Sequence, residues 1–198
     1  STQAKTLFPY TTLFRSCVKI IMRSIFNPAN FNSCISTHDD NEIYIKDSTD
    51  NQKPCCIADS LDFDFKIINP HNKFIDFLKI DSCVYFSNDG RKCDFSINDN
   101  SVVCFIEIKS LTDFSNSWKS DSKKDDALDQ IIQTIIKIKG NFPSLDLLHT
   151  FAIICLKPKI PIHTQVIQIA DQNRINELLT ECGCPNLYIG NEITLNNS

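Results

Sequence analysis

Apolar residues fill every position but one of the run Val102 to Ile108 (VVCFIEI). A near-continuous hydrophobic run of this length predicts a central strand covered on both faces. Ahead of it, Phe74 to Phe86 (FIDFLKIDSCVYF) mixes β-branched and aromatic residues with spaced polar ones. That pattern predicts one long strand, or two joined at a bend. Ser87-Asn88-Asp89-Gly90 follows, and Asp-Gly is a strong hairpin signal. Lys92 to Ile97 (KCDFSI) reads as the next strand and Asn98-Asp99-Asn100 as a turn into Val102. The expectation is a three-strand meander joined by tight turns.

The period then changes. Residues 112–123 are polar and read as a loop, and Ala127, Leu128, Ile131, Ile132, Ile135, Ile136 and Ile138 recur at helical spacing. A helix is predicted from about Lys124 to Lys139, with Asp121 or Ser122 as its cap and Gly140 placed to end it. Thr150 to Leu156 (TFAIICL) predicts a buried strand, and Pro158 and Pro161 break it. Val166 to Ala170 suggests a further strand, Asp171 caps a helix over Arg174 to Cys182, and Leu187 to Leu195 reads as a last strand. Residues 22–60 are polar, with one alternating run, Glu42-Ile43-Tyr44-Ile45, that fits an edge strand. The order β-β-β-α-β, then α and β, predicts an α/β fold: a mixed central β-sheet flanked by helices.

Composition narrows the function classes. The chain has 198 residues, which suits one domain. No run approaches the roughly 20 apolar residues of a membrane-spanning helix, so no membrane partner is expected. The net charge is -4, which argues against a protein that is basic throughout. An enzyme acting on phosphodiesters needs only a local positive rim beside acidic residues. Four dispersed glycines offer no phosphate-cradling loop, which argues against nucleoside-triphosphate hydrolysis. His38, His71, His149 and His163 have no metal-ligand spacing.

Ten cysteines are present, and Cys83, Cys93, Cys104 and Cys155 fall in strand-like runs, where a free thiol behaves as a small hydrophobe. The close pairs Cys55-Cys56 and Cys182-Gly183-Cys184 lack a second half with zinc spacing. Reduced thiols and a cytoplasmic location are the expectation. At the N-terminus, Phe8 to Ser16 (FPYTTLFRS) resembles translated sequencing-adaptor read-through, and Met22 is the only methionine. Residues 1–21 are therefore read as a non-native leader, 22–70 as an N-terminal region whose pattern determines little, and 71–198 as the α/β domain.

The candidate chemistry lies on two adjacent predicted strands. Asp94 interrupts a strand-like run, and Glu107 and Lys109 flank Ile108 at the end of the apolar one. Alternation sends Glu107 and Lys109 to one face and Ile108 to the other. A charged pair ending a buried strand is costly unless it is paired or used. If Asp94 pairs near Glu107, two carboxylates and an ammonium meet in one cleft. Two carboxylates suit a hard divalent cation, and the ammonium can position an attacking water or help to deprotonate it.

Asp94 followed by Glu107-Ile108-Lys109, then a helix and another strand, resembles the PD-(D/E)xK nuclease superfamily, over about Phe74 to Leu156. The position before the acid, often proline there, is Cys93 here. The resemblance implies a restriction-endonuclease-like fold and a Mg2+-dependent (or Mn2+-dependent) nuclease, in a defence or mobile-element setting. It implies catalytic roles for Asp94, Glu107, Lys109 and Gln130, with Gln133 further round the helix. Metal ligands would be Asp94, Glu107 and the Ile108 carbonyl, with Asp81 or Asp76 as an added acid. The expected partner is nucleic acid, DNA ahead of RNA, with a homodimer or protein partner allowed. Lys119, Lys123, Lys124, Lys137 and Lys139 could form a basic rim or a solvated face, and Trp118 could stack on a base or anchor its loop. The alternatives are an inactive nuclease-fold subunit of a larger complex and a redox or metal-sensing cysteine protein.

Overall fold

Alternation along the strands decides which of two hydrophobic layers each side chain joins. In the computed structural model, residues 27–48, 53–99, 101–111, 117–145, 147–157 and 168–195 are described. Residues 1–21, the polar loop 112–116 and most of the Val166 strand lie outside them, and Trp118 and Lys119 lie within a helix whose side chains there are not described.

A short helix, α1 (Pro28–Phe31), leads into β1 (Ile35–His38), β2 (Glu42–Lys46), β3 (Cys56–Ile57), β4 (Phe65–Ile68) and β5 (Ile75–Lys79). Then come β6 (Phe95–Asn98), β7 (Val103–Ser110), α2 (Ser117–Asn141), β8 (Thr150–Lys157), β9 (Gln168–Ile169), α3 (Gln172–Cys182), β10 (Asn186–Ile189) and β11 (Glu192–Thr194). The main sheet has seven strands in the order β1-β5-β6-β7-β8-β10-β9. β5, β6 and β7 form the antiparallel meander, and β8 returns parallel to β7. A parallel return needs a crossover, and α2 supplies it. The expected α/β class with a mixed sheet is found.

On β7, Val103 and Phe105 pack with Ala127, Leu128, Ile131 and Ile135 of α2. Cys104, Ile106 and Ile108 point the other way, onto a second sheet in the order β11-β4-β2-β3. The main sheet thus lies between a helix layer and a small sheet. Burying a side chain such as Ile131 contributes about 2 kcal/mol, and its exposure is 0%. No helix of the described residues is long and apolar enough to cross a membrane.

Several boundaries differ from expectation for physical reasons. The Phe74 strand stops at Lys79, because the N–H groups of Ile80 and Asp81 both turn onto the Asp94 carbonyl, at 3.0 and 3.1 Å. Residues 80–94 therefore make a wide connection rather than a tight hairpin, with Gly90 at φ 76°. Asp121 and Ser122 lie inside α2, and Gly140 is its second-last residue. Asp171 does cap α3, accepting the Arg174 N–H at 3.2 Å. The run Leu187 to Leu195 splits between two sheets at Gly190-Asn191, where the Gly190 N–H reaches the Ile154 carbonyl at 3.0 Å.

Residues 22–60, read as loops with one edge strand, supply three strands, and β4 follows them. β1 joins the main sheet, and β2, β3 and β4 build the small one with β11. The expectation of free thiols is corrected for one pair. Cys34 and Cys83 form a disulfide with Cα atoms 5.6 Å apart, and Cys83 lies in the turn after β5 rather than in a strand. Cys93, Cys104 and Cys155 are free and buried, as expected.

Candidate active site

Asp94 is the residue before β6. Phe95 pairs with Ile106, which brings Asp94 to the end of the paired stretch beside Glu107 and Ile108, close enough for its charge to act on Glu107. Its main chain is fixed by Ile80 and Asp81, and its carboxylate Oδ2 accepts the Ile108 N–H at 2.6 Å. Burial, and then the charge of Asp47, push the Asp94 carboxyl up to about 7, against the pull of the Ile108 N–H and Lys109.

Glu107 is 2% exposed, in a strand that is buried from Val103 through Ile108. Its Oε1 meets the Lys109 ammonium at 2.8 Å. Its Oε2 is buried and accepts no hydrogen bond among the described residues. Burial and the charge of Asp94 hold this carboxyl well above the usual range, although Lys109 pulls it down. An orphaned carboxylate oxygen in a protein interior is costly, and such atoms are uncommon.

Lys109 reaches α2, pairing with Asp126 Oδ2 at 2.7 Å and donating to Gln130 Oε1. Gln130 Nε2 donates in turn to the Lys92 carbonyl at 2.9 Å, so one side chain ties the helix to β7 and to the segment leading into β6. One turn on, Thr134 Oγ1 accepts the Cys93 N–H at 2.8 Å and fixes the residue before Asp94. Burial opposes the charge on Lys109, but Glu107 and Asp126 outweigh it and raise its pKa. A lysine held this way stays an ammonium. It can orient and neutralise, but it is poorly suited to taking a proton.

The structure brings Asp94, Glu107, Lys109 and Gln130 together. Gln130, not Gln133, meets Lys109. Ile108 joins through its N–H, while its side chain packs in the layer shared with the small sheet. Asp81 lies at the rim, 3.3 Å from Lys92 Nζ, and its charge raises Asp94. Asp76 is elsewhere, in β5 opposite Thr37, whose hydroxyl donates to it at 2.7 Å. Of the basic-rim candidates, Lys124 pairs with Asp121 at 3.2 Å and Lys137 lies over the Tyr85 ring.

Four residues of the neighbourhood were not singled out by sequence pattern as site residues. Asp47 follows β2, Asp64 precedes β4 and Lys157 ends β8. Lys157 Nζ lies 2.8 Å from Asp47 Oδ2 and 3.5 Å from Asp64 Oδ2. The Asp47 N–H donates to Asp64 Oδ2 at 3.0 Å. Cys55, the residue before β3, is 2% exposed. Burial pushes its thiol up, and Asp94, Asp47 and Glu107 add to the effect. Lys157 carried a usable signal, a charge at the end of an apolar strand, the pattern that singles out Glu107 and Lys109; Asp47 follows an alternating strand and did not.

Comparison of the chain with protein-family models, with curated proteins and with solved structures returns no match.

Proposed function

We propose that this protein is a metal-dependent nuclease of the PD-(D/E)xK kind, hydrolysing phosphodiester bonds of nucleic acid, DNA ahead of RNA. The carrying observation is the buried Glu107 Oε2, which has no hydrogen-bond partner among the described residues and lies within reach of the Asp94 charge. Two carboxylates forced together with an unsatisfied oxygen fit a hard divalent cation, Mg2+ or Mn2+. Asp94 and Glu107 would hold it, with the Ile108 carbonyl and Asp81 as added ligands. When bound, such a cation supplies positive charge against the phosphate and the charge that develops on it.

The remaining roles belong to the chain. Lys109, kept charged by Glu107 and Asp126, sets a cation beside the scissile phosphate and orients the attacking water. Gln130 is a positioning residue: it fixes the Lys109 ammonium through its oxygen and the Lys92 carbonyl through its nitrogen. The Ile108 N–H orients the Asp94 carboxylate. Meander, crossover helix and parallel return support a restriction-endonuclease-like arrangement of this site.

The test is cleavage of single- and double-stranded DNA and RNA with Mg2+, Mn2+ or chelator, by wild type, Asp94→Ala and Lys109→Ala. Metal-dependent cleavage by wild type, absent in both folded variants, supports the reading. Absence of cleavage on every substrate favours instead a non-cleaving subunit of nuclease-like fold.

A further inference from the structure

Beside the proposed catalytic pair, the small sheet contributes donors of a different chemistry. A carboxylate oxygen of Asp47, Sγ of Cys55 and a carboxylate oxygen of Asp94 all lie within 4.8 Å of one another. They come from three separate places in the chain: the end of β2, the start of β3 and the start of β6. The Cys55 thiol points at Asp47 Oδ1, 3.8 Å away, and its side chain is buried. Lys157 holds the other Asp47 oxygen at 2.8 Å, which leaves Oδ1 turned towards the cluster.

A second observation points to a ligand here. Glu107 carries the buried Oε2 with no hydrogen-bond partner among the described residues, it feels the charge of Asp94, and its own charge is felt at Cys55. A buried thiol and three acidic side chains thus influence one another here, and a cation bound by the thiol and the Asp47 and Asp94 carboxylates would offset that charge.

We infer that Asp47, Cys55 and Asp94 form a binding site for a borderline-soft divalent cation of the Zn2+ class, distinct in chemistry from the hard-cation pair Asp94 and Glu107. Hard cations such as Mg2+ take oxygen ligands and leave thiols alone, whereas Zn2+ accepts both thiolate sulfur and carboxylate oxygen. On binding, the Cys55 thiol releases its proton to solvent and its sulfur lone pair forms the bond to the cation, with no change of oxidation state. The site shares Asp94 with the proposed catalytic cation but does not require the protein to cleave nucleic acid.

The probe is Co2+, whose bond to a thiolate gives a charge-transfer absorption that Zn2+ abolishes on displacement. Purified, reduced protein is titrated with Co2+ and then with Zn2+. Wild type should develop the absorption at one equivalent, and Cys55→Ser should lose it with folding intact by circular dichroism. Asp47→Asn should weaken Co2+ binding at least tenfold, and this variant serves as the test if Cys55→Ser does not fold. Cys56→Ser, at the exposed neighbour, and Glu107→Gln should keep the absorption. The inference is overturned by an absent band in wild type, by a band that persists in Cys55→Ser, or by one lost in Cys56→Ser. Glu107→Gln separates the two readings, because it removes a ligand of the proposed catalytic cation and none of the thiolate site.

Discussion

Replacing Asp94 by Asn should make the metal-free protein more stable at pH 8 while removing its capacity for the catalytic cation. The carboxyl moves from 3.8 to about 7 on folding, chiefly through burial. A difference of that size corresponds to about 4 kcal/mol between the two protonation states. Asp94 keeps partial exposure, and solvent screening lowers the expected effect to about 2 kcal/mol. The sign follows from the direction. The folded protein holds this proton more tightly than the unfolded chain does. The contribution to stability is therefore complete below the ordinary carboxyl range and is lost as pH rises through about 7. An asparagine keeps an oxygen for the Ile108 N–H and has no charge to desolvate. Urea unfolding in chelator, followed by circular dichroism, should show the variant near wild type at pH 4 and more stable at pH 8. Adding Mg2+ should then stabilise wild type and leave the variant unchanged. A variant less stable than wild type at pH 8, or a difference independent of pH, would refute the reasoning.

Other substitutions probe the same network and its surroundings. Lys109→Met leaves Glu107 buried without its cation; the expected loss is about 3 kcal/mol at pH 8 by urea unfolding, shrinking as Glu107 takes up a proton at lower pH. Asp99→Asn removes an ion pair to Lys73 at 2.9 Å and weakens three hydrogen bonds from Ser101 and Val102. Burial raises the Asp99 carboxyl, but these partners together outweigh it and hold it low. Its stabilisation is thus present at neutral pH and fades as pH falls through the lowered value. The variant should lose about 2 kcal/mol at pH 7, with the gap to wild type closing in acid titration. Asp171→Ala removes the cap of α3 and should cost about 1 kcal/mol in thermal or urea unfolding.

What the sequence made legible was the part of the fold governed by local pattern. Apolar continuity marks β7 and β8, helical spacing marks α2, and Asp171 marks the start of α3. Alternation alone sets Glu107 and Lys109 on one face with Ile108 on the other. Residues 35–68 were hidden because β1 is short and largely polar and β3 is only two residues long, and their strand character comes from pairing with β5 and β2. The same gap hid Asp47, Asp64 and Cys55, which reach the site only when the small sheet folds over the main one. The Cys34–Cys83 pair spans 49 residues, and no local rule connects them. Asp76 and Asp81 show the limit of spacing arguments. Both precede Asp94 on strand-like sequence, and the turn after Lys79 brings only Asp81 to the rim.

The central claim is that Asp94 and Glu107 hold a cation that cuts phosphodiesters, and Glu107→Gln tests it most directly, since it keeps the shape and hydrogen-bonding reach of the side chain and removes its charge. Wild type and variant, matched for folding, are incubated with supercoiled plasmid over a range of Mg2+ and Mn2+ concentrations, with chelator as control. The account predicts nicking or linearisation by wild type that requires the metal, and at least a hundredfold slower reaction by the variant at every metal concentration. Metal-dependent cleavage that survives undiminished in Glu107→Gln would contradict it.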